Sequence, residues 1–100
     1  MSRQVFWSED ALADFEESIA YISAQDRHSA ELVAARIDNA VNSLRDLSLG
    51  RPGPVAGTFE KVVAKTPFIL AYAVEDDVVA IIRVIHGRRL WPNHQWPRES

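Results

Sequence analysis

The sequence predicts an α+β domain in which an antiparallel sheet carries a hairpin of two helices on one face. Two stretches between residues 8 and 49 repeat apolar residues at helical spacing, and three β-rich stretches follow residue 57. A segment rich in proline and glycine separates the two halves. The predicted order of elements is therefore β-α-α-β-β-β.

The composition is that of one folded domain. The chain has 100 residues, 47% of them apolar and 25% charged, which argues against disorder, collagen-like repeats and a membrane span. We expect a single domain over residues 1–92 and a tail over 93–100. The sequence has no cysteine, and residues 1–25 lack the pattern of a signal peptide, so a cytoplasmic location is expected.

Charge is unevenly distributed along the chain. Residues 1–50 hold nine acids and four bases, whereas residues 51–100 hold five acids and seven bases. The net charge of −3 and the pI of about 5.5 do not fit a protein that holds nucleic acid by bulk charge. Strong direct nucleic-acid binding is not expected, and any phosphate contact has to be local.

The first half predicts one short strand and two helices. Gln4–Trp7 alternates as a strand does, and Ser8 then caps a helix that runs to about Ala24. Asp26 caps a second helix that is expected to end near Leu49, before Gly50 and Pro52. The helices carry two apolar stripes, which consist of Leu12, Phe15, Ile19 and Ile22, and of Val33, Ile37, Val41 and Leu44. The short connection predicts an antiparallel helix hairpin, with Asp14, Glu16 and Glu17 facing water.

The second half predicts a loop and three strands. Residues 51–57 contain two prolines and two glycines and are expected to form the loop. The predicted strands are Thr58–Ala64, Phe68–Val74 and Val78–Ile85, joined by hairpin turns at 65–67 and 75–77.

The last strand is expected to be central and buried on both faces, because it has six β-branched residues in eight positions. Arg83 alone interrupts it, and a buried unpaired guanidinium is costly. Arg83 is therefore expected either to pair with a carboxylate, such as Glu60, or to point into a cleft. The strand runs directly into a basic and aromatic segment, H-G-R-R-L-W-P at residues 86–92.

The order of elements and several motifs resemble the RelE/ParE superfamily of bacterial type II toxins. The motifs are V-F-W-S-E-D-A, A-Y-I-S, G-R-P-G-P-V-A-G-T, P-F-I-L-A-Y-A-V and I-I-R-V-I-H-G-R-R-L-W-P. The resemblance covers nearly the whole chain. It implies a toxin held inactive in a hetero-oligomer by a cognate ParD- or RelB-like antitoxin, whose C-terminal segment wraps the toxin. Nothing in the sequence identifies the antitoxin-binding residues.

The superfamily contains ribosome-dependent mRNA endonucleases and ParE-like inhibitors of DNA gyrase. Aligned through Tyr72 and Gly87, the two strand lysines of the RelE-type nuclease fall on Glu60 and Val62, and its strand arginine falls on Ile69. The arginine after the last strand matches Arg89, and only Trp91 can stand for the terminal tyrosine that stacks on a base. In nucleases that use Glu, Arg and His, the first two positions fall on Gly53 and Ile69, and His86 lies one residue from the third.

The resemblance therefore favours a ParE-like gyrase inhibitor, whose expected target-binding residues are Arg83, Arg88, Arg89 and Trp91. The alternatives are an mRNA endonuclease acting on the ribosome, with His86, Arg89 and Lys61 as weak catalytic candidates, and an inactive antitoxin-binding module. These candidates also have purely structural interpretations. His86 is then a structural histidine, Arg88 and Arg89 form a solvated basic turn, and Trp91 closes the core. The acids at 75–77 are read as a solvated turn, so no metal and no cofactor are expected.

Overall fold

A computed structural model describes residues 3–46, 51–53 and 55–87. Its elements are β1 (Gln4–Trp7), α1 (Glu9–Gln25), α2 (Arg27–Ser43), β2 (Arg51–Pro52), β3 (Phe59–Val62), β4 (Phe68–Glu75) and β5 (Val78–His86). The predicted α+β class is confirmed, with the short strand β2 added inside the predicted loop. The predicted tail over 93–100 and the predicted helix stop at Gly50 lie outside the described residues.

The five strands form one sheet in the order β1-β5-β4-β3-β2. Neighbouring strands are antiparallel except at one edge, where β1 pairs in parallel with β5 and places Val5 opposite Val79. The sheet is therefore mixed rather than wholly antiparallel. A parallel pair needs a long crossover, and here the helix hairpin and the other three strands separate β1 from β5 in sequence.

A single residue, Asp26, connects the two helices. Its backbone N–H donates to the carbonyl of Ile22 at 2.8 Å and ends α1. Its carboxylate accepts from the backbone N–H groups of His28 and Ser29, and from the Ser29 hydroxyl at 2.9 Å, and so caps α2. The Ser29 hydroxyl and these backbone groups lower the pKa of Asp26. The predicted Asp26 cap and tight helix hairpin are thus present.

Helix α2 ends at Ser43, earlier than the predicted end near Leu49. The carbonyls of Leu44 and Arg45 would accept from the next helical turn if the helix continued. Instead, the guanidinium and backbone N–H of Arg3 donate to these two oxygens, each at 3.0 Å. A tertiary contact from the start of the chain therefore occupies the carbonyls that a longer helix would use.

The core lies between the hairpin and one face of the sheet. It contains the buried side chains of Ala11, Ile37, Ala40, Val41, Leu44, Val63, Phe68, Leu70, Tyr72, Val79, Ile81 and Val84. The predicted stripe of α2 is thus confirmed in its last three members, while Val33 is partly buried. In α1 the expected Leu12 is 43% exposed, and Ala11 is fully buried in its place.

Strand β5 lies between β1 and β4, but it is not buried on both faces as predicted. On the helix face Val79, Ile81 and Val84 are buried. On the other face Ile85 is buried as well, but Ala80 is half-buried and Val78 is 40% exposed. The pairing of β5 with β4 shifts by one residue, because Tyr72 lies opposite Ile81 and Ala71 lies opposite Arg83. Ile82 is the extra residue of a β-bulge.

Within the described ranges, no helix combines the length and the apolar character needed to cross a membrane.

Candidate target-binding end of the sheet

The chain leaves the sheet through His86 and Gly87, at the carboxyl end of β5. The His86 ring packs edge-on against Phe68, with 5.1 Å between the ring centroids. The backbone N–H of Gly87 donates to the carbonyl of Pro67 at 2.6 Å. Three of the predicted target-binding residues, Arg88, Arg89 and Trp91, follow this point and lie outside the described residues.

The turn that receives Gly87 is itself fixed from two sides. The Thr66 hydroxyl donates to the Val63 carbonyl at 2.9 Å and accepts from the Phe68 backbone N–H at 3.0 Å. Arg36 on α2 donates to the carbonyl of Lys65 at 3.3 Å, where the backbone φ is 61°. The exit of the chain is therefore attached to a braced turn.

The carboxylate that pairs with Arg83 lies on α1. The Nε and one terminal nitrogen of Arg83 donate to the two carboxylate oxygens of Asp14 at 2.8 and 3.0 Å. This bidentate contact raises the pKa of Arg83, and the nearby charge of Asp10 acts in the same direction. Of the two open alternatives for Arg83, pairing with a carboxylate is the one found, although the partner is Asp14 and not the suggested Glu60.

Asp14 was expected to face water, and this prediction is wrong. Its side chain is only 17% exposed. The same carboxylate accepts the backbone N–H of Val84 at 2.9 Å. Helical spacing placed Asp14 with Glu16 and Glu17 on a polar face. The lone arginine in the apolar strand was the available signal, since a half-buried guanidinium requires a nearby carboxylate.

Ser8 also contacts the edge of β5. Its backbone N–H donates to the carbonyl of Ile81 at 3.0 Å, and its hydroxyl donates to the carbonyl of Ile82 at 2.9 Å. The same hydroxyl accepts from the backbone N–H of Ala11, as a helix cap does. The sequence identified the cap but not the contact with β5, which lies 74 residues further along the chain.

The weak catalytic candidates Lys61 and His86 lie on the helix face of the sheet. Lys61 pairs with Leu70 and His86 pairs with Phe68, and both partners belong to the core under the helices. Residues directly opposite each other in antiparallel strands point to the same face. Arg89, the third candidate, lies outside the described residues.

The positions that match the nuclease pattern lie on the opposite face. Glu60 pairs with Ala71 and Val62 pairs with Ile69. Ala71 and Ile69 belong to a second apolar cluster with Ile85 and Val55, away from the helices.

In the described part of the chain, no group of three or more histidine, aspartate or glutamate residues could hold a metal ion.

Comparison with known proteins agrees with the fold. A family model described as "ParE toxin of type II toxin-antitoxin system, parDE" matches residues 5–91. A solved structure of the chromosomal ParDE system of P. aeruginosa superposes with a TM-score of 0.77 at 20% identity, over 85% of this chain and 96% of that one. The E. coli DinJ-YafQ complex superposes with a TM-score of 0.53 at 18% identity, over 91% and 99% of the two chains.

Two curated relatives carry toxin names. Y4kP of Sinorhizobium fredii, named as a toxin, is 39% identical over 94 residues, which are 92% of this chain and 97% of that protein. Toxin RelE2 of Caulobacter vibrioides is 32% identical over 87 residues, 87% of this chain and 98% of that protein. The fold and these relatives define a toxin of the RelE/ParE superfamily. Within it, the chain belongs to the ParE toxin family of type II toxin-antitoxin systems.

Proposed function

We propose that this toxin binds and inhibits DNA gyrase without cleaving RNA, and that a cognate antitoxin neutralises it. The segment that follows Gly87, with Arg88, Arg89 and Trp91, supplies the contacts with the target. Guanidinium groups form bidentate hydrogen bonds with carboxylates and phosphates. Tryptophan is frequent among the interface residues that contribute most of the binding energy.

The observation that carries this proposal is the division of residues between the two faces of the sheet. The face that carries the nuclease-equivalent positions presents Glu60, Val62 and Ile69, so one carboxylate and two apolar groups stand where that mechanism needs cations. Lys61 and His86 point to the other face and cannot replace them. General acid-base cleavage of a phosphodiester requires its groups to converge on one reacting phosphate.

The antitoxin is proposed to cover the helix hairpin. A shallow groove runs between α1 and α2, and it is lined by Ile19, Ser23, Arg27, Ala30, Glu31 and Ala34. Leu12, Tyr21 and Leu32 are 43%, 70% and 40% exposed on the same two helices. An amphipathic segment of the antitoxin would bury such side chains, as in helix-in-groove recognition.

Ala34 and Ala35 provide a matched test of this groove. Ala34 lines it, whereas Ala35 is exposed on the neighbouring position of the same helix. Ala34→Arg should weaken antitoxin binding about tenfold or more, since an interface contact of this kind is worth about 1–2 kcal/mol. Ala35→Arg should leave the affinity within about twofold. Equal affinities for both variants, measured by calorimetry, would place the antitoxin elsewhere.

The target is tested with purified toxin in a gyrase supercoiling assay, beside mapping of mRNA 5′ ends after expression. We expect loss of supercoiling and no codon-linked cleavage. The Arg88→Ala/Arg89→Ala double variant should lose inhibition and toxicity while it still binds the antitoxin. The Lys61→Ala/His86→Phe double variant, which keeps an aromatic ring against Phe68, should retain inhibition and toxicity.

Abundant cleavage at codons in the ribosomal A site would instead identify the protein as an endonuclease. Inertness of the folded protein in both assays would identify an inactive antitoxin-binding module.

A further inference from the structure

We propose that Asp14 and Arg83 are positioning residues that fix the direction in which the chain leaves β5 for Arg88 and Arg89. This inference rests on the proposed function, because it gives the ion pair a role in presenting the target-binding segment. It removes Arg83 from the set of residues that touch the target.

The first step concerns the edge of β5. Strand β1 covers this edge only as far as Ile81, the partner of Trp7. Beyond that point the helix cap and α1 supply the hydrogen bonds: the Ser8 hydroxyl donates to the Ile82 carbonyl, and the Asp14 carboxylate accepts from the Val84 N–H. The bulge at Ile82 shifts the alternation of the strand and turns both backbone groups toward the helix.

The second step concerns the charge around Arg83. Its Nε and one terminal nitrogen are already occupied by Asp14, and the field of Asp10 reaches the same guanidinium. Asp14 contacts this guanidinium and Asp10 acts on it at longer range, so two negative charges act on one positive charge. Such a site does not attract a phosphate or a carboxylate of a partner, even though the Arg83 side chain is 33% exposed.

The third step connects this anchor to the exit. Gly87 follows Val84 by three positions, which is about 10 Å of extended chain. The far end is attached on the other side of the strand, where Gly87 donates to Pro67 and His86 packs on Phe68. With α1 on one side and the braced turn on the other, the described end of β5 is held from both sides.

The test uses NMR to measure the hydrogen exchange of backbone amides. This rate reports local opening of the structure and needs no target protein. The full-length variants Asp14→Ala and Arg83→Met should speed exchange of the Val84 and Gly87 amides about tenfold or more, with core amides such as those of Ile37 and Tyr72 unchanged. Glu17→Ala, on the exposed face of α1, should change neither amide.

The second measurement compares the variants with the wild type in gyrase inhibition per folded molecule. Both variants should require about tenfold more protein for half-maximal gyrase inhibition, whereas antitoxin affinity stays within about twofold. Arg83→Lys should recover part of the inhibition, because an ammonium can hold one carboxylate oxygen but not two. If the alanine or methionine variant does not fold, Asp14→Asn and Arg83→Lys are compared instead, since each keeps part of the contact.

Unchanged exchange at Gly87 beside faster exchange at Val84 would show that the anchor acts only locally and would overturn the proposal. So would inhibition that falls only in proportion to the folded fraction. If the wild-type toxin does not inhibit gyrase, the proposed function fails, while the exchange at Gly87 still decides whether the ion pair orients the exit.

Discussion

Gly87 and Pro67 are joined by a backbone hydrogen bond of 2.6 Å, which ties the end of β5 to the turn between β3 and β4. A Cβ atom at position 87 would lie 3.0 Å from the same carbonyl oxygen and 3.5 Å from the Ile69 side chain. The glycine therefore allows the close approach of two backbone segments, which a Cβ atom would crowd.

Gly87→Ala should accordingly destabilise the fold by about 1 kcal/mol, as crowding in a packed site does. It should also reduce toxicity, because the segment that carries Arg88 is displaced. Urea unfolding and a growth assay measure the two effects. Gly57→Asn is a suitable control: nothing lies within 4 Å of an added Cβ there, and asparagine tolerates its φ of 85°. A Gly87→Ala variant as stable and toxic as the wild type would contradict the argument.

A second prediction concerns the core under the hairpin. Ile37 is fully buried in the main cluster, whereas Leu32 on the same helix is 40% exposed. Ile37→Ala should cost about 2–5 kcal/mol of unfolding free energy, because it removes buried methylene groups and leaves a cavity. Leu32→Ala should cost less than about 1 kcal/mol. Comparable losses in the two variants, measured by chemical unfolding, would show that the core lies elsewhere.

The sequence predicted the elements better than it predicted their ends and partners. Local patterns carry caps and turns, so Ser8, Asp26 and the two hairpin turns were correctly located. The end of α2 was wrong because Arg3, 41 residues away, takes the carbonyl of Leu44. No local pattern contains such a contact.

The parallel pairing of β1 with β5 was missed for a related reason. Consecutive strands joined by short turns predict antiparallel hairpins. A strand that precedes two helices contains no local pattern that predicts which strand it will pair with. At the candidate site, the sequence identified Arg83 as needing a carboxylate. It could not identify Asp14, because the choice depends on the bulge at Ile82 and on where β1 stops.

The third prediction is a pH dependence at the helix junction. Hydrogen bonds from Ser29 and from the backbone lower the pKa of Asp26 in the folded protein below its unfolded value. The resulting stabilisation is fully present above the unfolded pKa, and it is lost as the pH falls through the folded pKa.

Asp26→Asn retains an acceptor oxygen but does not titrate in this range. The stability difference between wild type and this variant should therefore shrink from about pH 6 to about pH 2. Thermal unfolding across that range measures the difference, with Glu16→Gln as an exposed carboxylate control. A constant difference between wild type and Asp26→Asn would contradict the assignment.

The fourth prediction concerns the hydroxyl that joins α1 to β5. Ser8→Ala removes the acceptor for the Ala11 N–H and the donor for the Ile82 carbonyl, and should cost about 1–2 kcal/mol. Ser8→Thr keeps the hydroxyl and should recover most of that loss. The urea midpoints of the three proteins provide the comparison, and equal midpoints for Ser8→Ala and wild type would show that neither bond contributes.

The pairing of β1 with β5 also determines when this toxin can come into being. During synthesis β1 emerges first, and it has no neighbour until β5 has been made, because Gln4 pairs with Val78. This edge of the sheet therefore cannot close until all the other described helices and strands have left the ribosome.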